Sequence, residues 1–299
     1  MDVILKVGGS IITDKTSEKP KEKLKNMLRI AREIKEGLKP NDRLILIHGV
    51  GSFGHPIVKK YGLQNGMKSN VQKVGFLYTQ LQVDELNRMF CKILAKEGLS
   101  VAPINVGSSA VSENKELINL PTDVVEEALN KKMIPVLYGV PVHDKTQGSS
   151  IISGDKILSF LANKFKPDII IHATDTDGIF TADPKIEPNA RQIAKISGKR
   201  FEDIEKYLSG STTIDVTGGM KEKIREVMST ETNAEIVNGT VSGILQRTLA
   251  GERGLGTTIE ISDTVEVKIP ILSAIGKRAG TRGAGFNLYM WLGKIFGLK

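Results

Sequence analysis

The chain has 299 residues, 40% hydrophobic and 25% charged, values of a globular protein of one or two domains with a sizeable core. Its formal charge of +8 is basic, but aromatics are only 5% and show no pattern for stacking bases, which disfavours nucleic acid and leaves a small anionic substrate. Cys91 is the only cysteine, so no internal disulfide can form and a reducing compartment is expected. The first residues lack a signal-peptide core, and no uncharged apolar run reaches the ~18 residues of a membrane span, so the expected location is the cytoplasm.

Apolar runs and helical periodicity alternate along the chain. A strand over Val3–Val7 ends in Lys6-Val7-Gly8-Gly9-Ser10, with Asp14-Lys15 just beyond. Two lysines flanking a Gly-Gly turn can hold a polyphosphate from both sides, Lys acting as a point charge; a glycine turn after a strand is also common by itself. A helix over Lys23–Gly37 follows, with Gly37 as its stop, then a strand over Leu44–Ile47 running into His48-Gly49-Val50-Gly51-Ser52-Phe53-Gly54-His55. Glycines there let backbone N–H groups converge on an oxyanion, and His55 adds a side-chain donor at the start of the next helix. A plain glycine turn with a structural histidine fits that segment about as well.

Val71–Glu97 reads as a long helix stopped by Gly98. Phe76, Gln80 and Val83 share one face, with Leu77 and Leu81 beside them, and Cys91 falls in its apolar pattern as a buried inert thiol. A strand over Val101–Ile104, a helix over Thr122–Asn130 and a strand over Ile134–Tyr138 come next, and His143 lies in an expected hairpin. Ile152-Ser153-Gly154-Asp155-Lys156 turns into a helix over 155–164; Asp155 suits orienting lysines or assisting a metal, although taken alone an Asp at such a place is more often an N-cap. The strand Ile169–His172 leads into Ala173-Thr174-Asp175-Thr176-Asp177-Gly178, whose carboxylates could meet ribose hydroxyls or simply tolerate turn dihedrals. Asp215-Val216-Thr217-Gly218-Gly219-Met220-Lys221 opens a helix over 221–230, a combination of helix N-terminus, glycines and lysine that suits phosphate. A last strand is expected at Glu235–Val237. The alternation predicts an α/β fold, a mainly parallel sheet with helices on both faces and ligands beyond the strands' carboxyl ends. The four histidines show no metal-ligand spacing, and no protein metal site is expected.

Taken together, KVGGSIITDK, HGVGSFGHP, ISGDK, TDTDGIFTADPK and VTGGMKEK, in this order over about residues 1–259, closely resemble the amino acid kinase superfamily. The SFGHP histidine resembles that of archaeal-type isopentenyl phosphate kinases and of fosfomycin kinase. Kinases of acetylglutamate, glutamate and aspartate, whose acceptor is a carboxylate, lack it. The resemblance implies a three-layer αβα sandwich with an open, mainly parallel central sheet. It implies phosphoryl transfer from ATP with Mg²⁺ to isopentenyl phosphate, in isoprenoid synthesis, by a homodimer.

By the same resemblance Lys6, Gly8, Gly9, Ser10, Gly51, Gly218 and Lys221 surround the nucleotide phosphates, and Asp175 meets the nucleoside. Lys15 stabilises the transferring group, and Asp155 orients Lys6 and Lys221. His55, Val50 and Gly154 hold the acceptor phosphate, with Phe76 and Val83 beside its tail. The chain departs from the family's usual HGGG at Val50: either valine keeps a negative φ and the turn survives, or the turn needs a positive φ and valine strains it. A kinase of another small phosphate or phosphonate and a non-catalytic nucleotide-binding regulator are the alternatives.

Residues 1–165 are expected to form the acceptor lobe and 166–262 the nucleotide lobe. Residues 263–299 carry a net charge of +4 and the only tryptophan, Trp291; they read as a flexible extension, less readily as an anchor on anionic lipid.

Overall fold

The structure, a computed structural model, describes residues 1–14, 16–211, 214–215 and 218–270. In chain order the first elements are β1 (Asp2–Val7), α1 (Gly9–Ile12), α2 (Leu24–Gly37), β2 (Arg43–His48), α3 (His55–Tyr61), α4 (Asn70–Lys96) and β3 (Val101–Pro103). The middle of the chain gives β4 (Val111–Glu113), β5 (Glu116–Asn119), α5 (Thr122–Asn130), β6 (Ile134–Tyr138), β7 (Val140–Asp144), β8 (Gly148–Ile152), α6 (Gly154–Phe165) and β9 (Ile169–Thr174). Then come β10 (Ile179–Phe180), β11 (Gln192–Ile193), β12 (Lys195–Gly198), α7 (Phe201–Leu208), β13 (Ser209–Ser211) and β14 (Ile214–Asp215). The last are α8 (Gly218–Met228), β15 (Ala234–Asn238), α9 (Ile244–Leu249), β16 (Thr257–Ile261) and β17 (Glu266–Lys268).

Nine strands form the main sheet in the order β17-β12-β16-β15-β9-β1-β2-β6-β3. Neighbours are parallel except where β16 meets β15 and β17 meets β12. The central strands read as continuous apolar runs because both faces are covered, as a parallel sheet requires. Alternation then sorts their side chains. Ile4, Ile45, Ile47 and Ile170 pack with Ile157 and Leu161 of α6 and Ile224 and Val227 of α8. Leu5, Val7, Leu46 and Ile171 pack on the other side with Ile30 and Ile34 of α2, Leu86 and Phe90 of α4, and Leu245 of α9. The result is the expected three-layer αβα sandwich.

Helix ends follow local chemistry. Ser69 and Gln72 close a capping box at the start of α4, and Gly98, at φ +89°, follows its end. Gly37 is not a left-handed stop: it lies in the last turn of α2, where a Cβ would sit 2.7 Å from the Gln246 carbonyl oxygen and 2.7 Å from Leu249 Cβ. That glycine serves close packing of α2 on α9.

A four-stranded sheet, β5-β4-β7-β8, stands apart from the main one. Its pieces are three to five residues long and rich in Ser, too short to show a period. The Asp144 carboxylate binds it together, accepting from Ser112 Oγ at 2.9 Å and from the backbone N–H of Lys115, Thr146 and Gln147 at 2.8, 2.9 and 3.1 Å. At the far end, residues 266–268 pair with β12 as an edge strand rather than lying in a loose extension, because Val267 packs onto the core. Residues 271–299, which hold Trp291 and most of the basic tail, lie outside the described residues. Among the described residues no helix is long and apolar enough to cross a membrane.

Candidate active site

The site begins where β1 and β2 end side by side, with Val7 in register with His48. Their following turns lie backbone against backbone. A Cβ on Gly9 would come 2.5 Å from the Gly51 nitrogen, and one on Gly49 would come 2.5 Å from the Gly9 nitrogen. Gly51 has φ +47°, and a Cβ there would meet Thr13 Oγ1 at 1.8 Å. Thr13 Oγ1 donates to the Gly9 carbonyl at 2.8 Å and accepts from Ser52 N–H at 3.2 Å, stitching the two turns. Val50 between them has φ −104° and ψ −21°, an ordinary conformation, so the valine introduces no backbone strain. Gly54 makes room for it: a Cβ there would be 2.5 Å from Val50 Cγ2.

Above this seam is a cavity of about 310 Å³. Part of its lining is ionic. Lys6, 6% exposed on β1, donates from Nζ to Asp155 Oδ1 at 2.6 Å. Lys223 of α8 reaches Asp155 Oδ2 at 3.1 Å, and His172 Nδ1 lies 3.6 Å from Oδ1. Ser153, not Asp155, caps α6, accepting from Lys156 N–H at 3.2 Å; this frees the Asp155 side chain for the lysines. Gly154 clears their path, since a Cβ there would sit 3.1 Å from Lys6 Cε.

Burial sets the charge states. It pulls the Lys6 ammonium down to about 8 against the opposing pull of Asp155, and Lys223 lowers it further. Burial alone would raise the Asp155 carboxyl, but the Lys6 and Lys223 charges outweigh it and hold it well below the usual range. His172 is lowered by burial, which Asp155 opposes and the two lysines reinforce, so its imidazole is neutral. Two ammonium groups share one carboxylate, leaving net positive charge on the cavity wall.

The same cavity has an apolar lining. Val50, Val58, Val83, Val140, Ile151 and Ile152 contribute to it, and Thr79 of α4 joins them. His55, the first residue of α3, also lines the cavity, its pKa lowered by loss of solvent. A second cavity of about 340 Å³ shares Thr174, Asp175 and Lys223 with the first and continues along Phe180, Pro184, Gly219 and Met220. Asp175 there lies 3.5 Å from Lys185 Nζ.

Of the residues expected from the sequence, Lys6, Gly8, Gly9, Ser10, Val50, Gly51, His55, Val83, Gly154, Asp155 and Asp175 meet on the first cavity. Phe76 packs instead on the His143 ring at 5.0 Å, and Gln80 Nε2 donates to the Gly107 and Pro141 carbonyls at 3.0 Å each. Leu77 and Leu81 are exposed. Gly218 opens α8; Lys221 lies on that helix, but the α8 lysine whose bond to Asp155 closes the cluster is Lys223, which the sequence did not single out. Lys15 lies outside the described residues. His172 was assigned no part, yet it lines the cavity.

The model of the amino acid kinase family matches residues 1–237, and the chain belongs to that family. It is 35% identical over 266 residues to the isopentenyl phosphate kinase of Methanothermobacter thermautotrophicus, covering 86% of this chain and 98% of the relative. It is 36% identical to the isopentenyl phosphate kinase of Methanocaldococcus jannaschii over 88% of this chain and 100% of the relative. A crystallographic isopentenyl phosphate kinase superposes with a TM-score of 0.76 at 31% identity, covering 87% of this chain and 100% of its own. The likeness to these isopentenyl phosphate kinases extends along most of the chain.

Proposed function

We propose that the protein transfers the γ-phosphoryl group of ATP to isopentenyl phosphate, giving isopentenyl diphosphate and ADP. The observation that carries this reading is one cavity lined both by the ammonium groups of Lys6 and Lys223 and by apolar side chains such as Val83 and Ile151, with His55 among them. A phosphate monoester with a hydrocarbon tail matches both kinds of lining, whereas an amino acid or a sugar would leave polar groups against valines and isoleucines. Isopentenyl phosphate is also the substrate named for the relatives.

In this reading Lys6, Gly8, Gly9, Ser10, Gly51, Gly218 and Lys221 surround the nucleotide phosphates, with Lys223 added at the junction of the two cavities. Asp155 holds the lysines, Asp175 meets the nucleoside, and Lys15 neutralises charge on the group in transfer. His55, Val50 and Gly154 hold the acceptor phosphate, and Val83 and Phe76 of α4 shape the tail region. The acceptor oxygen is already anionic, so no general base is required; the protein's work is positioning and charge neutralisation. His55, neutral in its desolvated place, donates a hydrogen bond.

Mg²⁺ enters on the nucleotide's phosphates: among the described residues no group of three His, Cys, Asp or Glu converges, and Asp155 is taken by two ammonium groups. Its charge would lower the repulsion between the two phosphate groups. The reading extends to an acceptor lobe over 1–165 and a nucleotide lobe over 166–262, and to a cytoplasmic enzyme of isoprenoid synthesis by way of mevalonate. It includes a homodimer: Val71, Val74, Leu77, Tyr78 and Leu81 form an exposed apolar stripe on α4 suited to a subunit contact.

ADP release with isopentenyl phosphate, dimethylallyl phosphate, fosfomycin, acetylglutamate and UMP tests the reading. Isopentenyl phosphate should be used best; preference for fosfomycin or UMP would replace the acceptor, and turnover of none would favour a nucleotide-binding regulator.

A further inference from the structure

His172 has no part in the reading above, and its place is costly. It is 1% exposed on the central strand β9, in register with Lys6 on β1 and Ile236 on β15. Its Nε2 has no hydrogen-bond partner among the described residues. A buried polar atom without a partner opposes folding, and an apolar residue at this position would remove that cost. The other ring nitrogen explains why a histidine stands here. Nδ1 faces the Asp155 carboxylate at 3.6 Å, which fixes the proton on Nδ1 and leaves Nε2 bare.

At 3.6 Å the contact is electrostatic, not a closed hydrogen bond, because Lys6 already occupies Oδ1 at 2.6 Å. When phosphate groups enter, they compete for the Lys6 and Lys223 ammonium groups, and the carboxylate loses its donors. We propose that His172 is a positioning residue of the site, a reserve donor whose Nδ1–H closes onto Asp155 as the lysines turn toward phosphate. It keeps the carboxylate ionised and oriented during transfer, while a neutral ring adds no charge of its own.

This inference rests on the proposed phosphoryl transfer, so its test includes a measurement that needs no turnover. In the wild-type protein, ¹⁵N NMR of the His172 ring should show the neutral Nδ1–H tautomer; a dominant Nε2–H tautomer overturns the proposal even if the kinase is active. In kinetics, His172→Leu should lower kcat about tenfold, the loss of one hydrogen bond to a charged group, with KM for ATP changed less than about threefold. Its melting temperature should equal or exceed that of wild type. His172→Asn, which keeps a donor, should recover kcat to within about threefold of wild type. A His172→Leu enzyme with full kcat, or Leu and Asn variants equally slow, would make the ring a packing element only. Absence of kinase activity in the wild type would strike the functional reading and leave the tautomer result standing.

Discussion

Glu33 and Asp155 are carboxylates on opposite faces of one sheet, both largely shut from solvent, and they are answered in different ways. Glu33 on α2 accepts from Arg29 Nη1 at 2.6 Å and from the backbone N–H of Gly243 and Leu245 at 3.1 Å each. Two of its donors belong to the main chain where α9 begins, and they cannot leave while the fold stands. Asp155 is met by ammonium groups on four-carbon stems that an incoming anion can draw away. Equal charge and similar enclosure therefore give a fastener at Glu33 and a holder of transferable cations at Asp155. Burial of a charge does not by itself tell stability from function; the freedom of its partners does.

The contrast can be broken experimentally. Asp155→Asn should have the largest effect on rate. Losing the carboxylate that orients Lys6 and Lys223 should cost on the order of 3 kcal/mol of transition-state stabilisation, or about two decades of kcat, with a smaller effect on melting than Glu33→Gln because both ammonium groups sit on flexible stems. A melting loss that exceeds that of Glu33→Gln would put both carboxylates in the structural class.

Next in size, His55→Ala should lower kcat/KM for isopentenyl phosphate by about one to two decades, for roughly 1.5–3 kcal/mol of a charge-assisted hydrogen bond, and leave KM for ATP within about twofold. Equal damage to ATP use would move His55 to the nucleotide side.

The alkaline limb of the pH profile sharpens the same contrast. Lys6, lowered to about 8, loses its charge as pH rises, so kcat/KM for ATP should fall above that pH, by about tenfold per unit. Asp155 raises the Lys6 pKa, so Asp155→Asn should shift the limb to lower pH. An unshifted limb would mean that another group titrates.

Glu33→Gln should change kcat least, within about twofold, while lowering the melting temperature by about 3–10 °C, for roughly 1.5–3 kcal/mol of lost charge-assisted bonding. Thermal unfolding beside steady-state rates separates the two outcomes.

Much of this was legible in the sequence because parallel strands followed by glycine turns write their function at their ends. KVGGS and HGVGS each announced a close-packed glycine turn at the end of a central strand, and the apolar runs announced the strands themselves. Registration between distant strands was not legible. His172 is a lone polar residue closing an apolar run, and only the pairing of β9 with β1 shows that it stands beside Lys6. Lys223 escaped for a related reason. The helix begins at Gly218, and only the packing of α8 beside α6 brings Lys223 to Asp155 at 3.1 Å. The strands β4, β5 and β8 were hidden because their order comes from the Asp144 hydrogen bonds rather than from apolar alternation. The contact of Phe76 with the His143 ring joins residues far apart in sequence, which a face argument on one helix does not reveal.

The glycine seam has a consequence for how far this scaffold can change. Gly9, Gly49 and Gly51 touch through main-chain atoms, so the gauge between the turn after β1 and the turn after β2 is set by peptide geometry and not by any rotamer. Donor and acceptor phosphates resting on those turns would keep one separation whatever tail the acceptor carries. Ile151, carried on β8 rather than on either turn, can therefore be resized to admit phosphate esters of longer or bulkier alcohols without recalibrating the reaction distance.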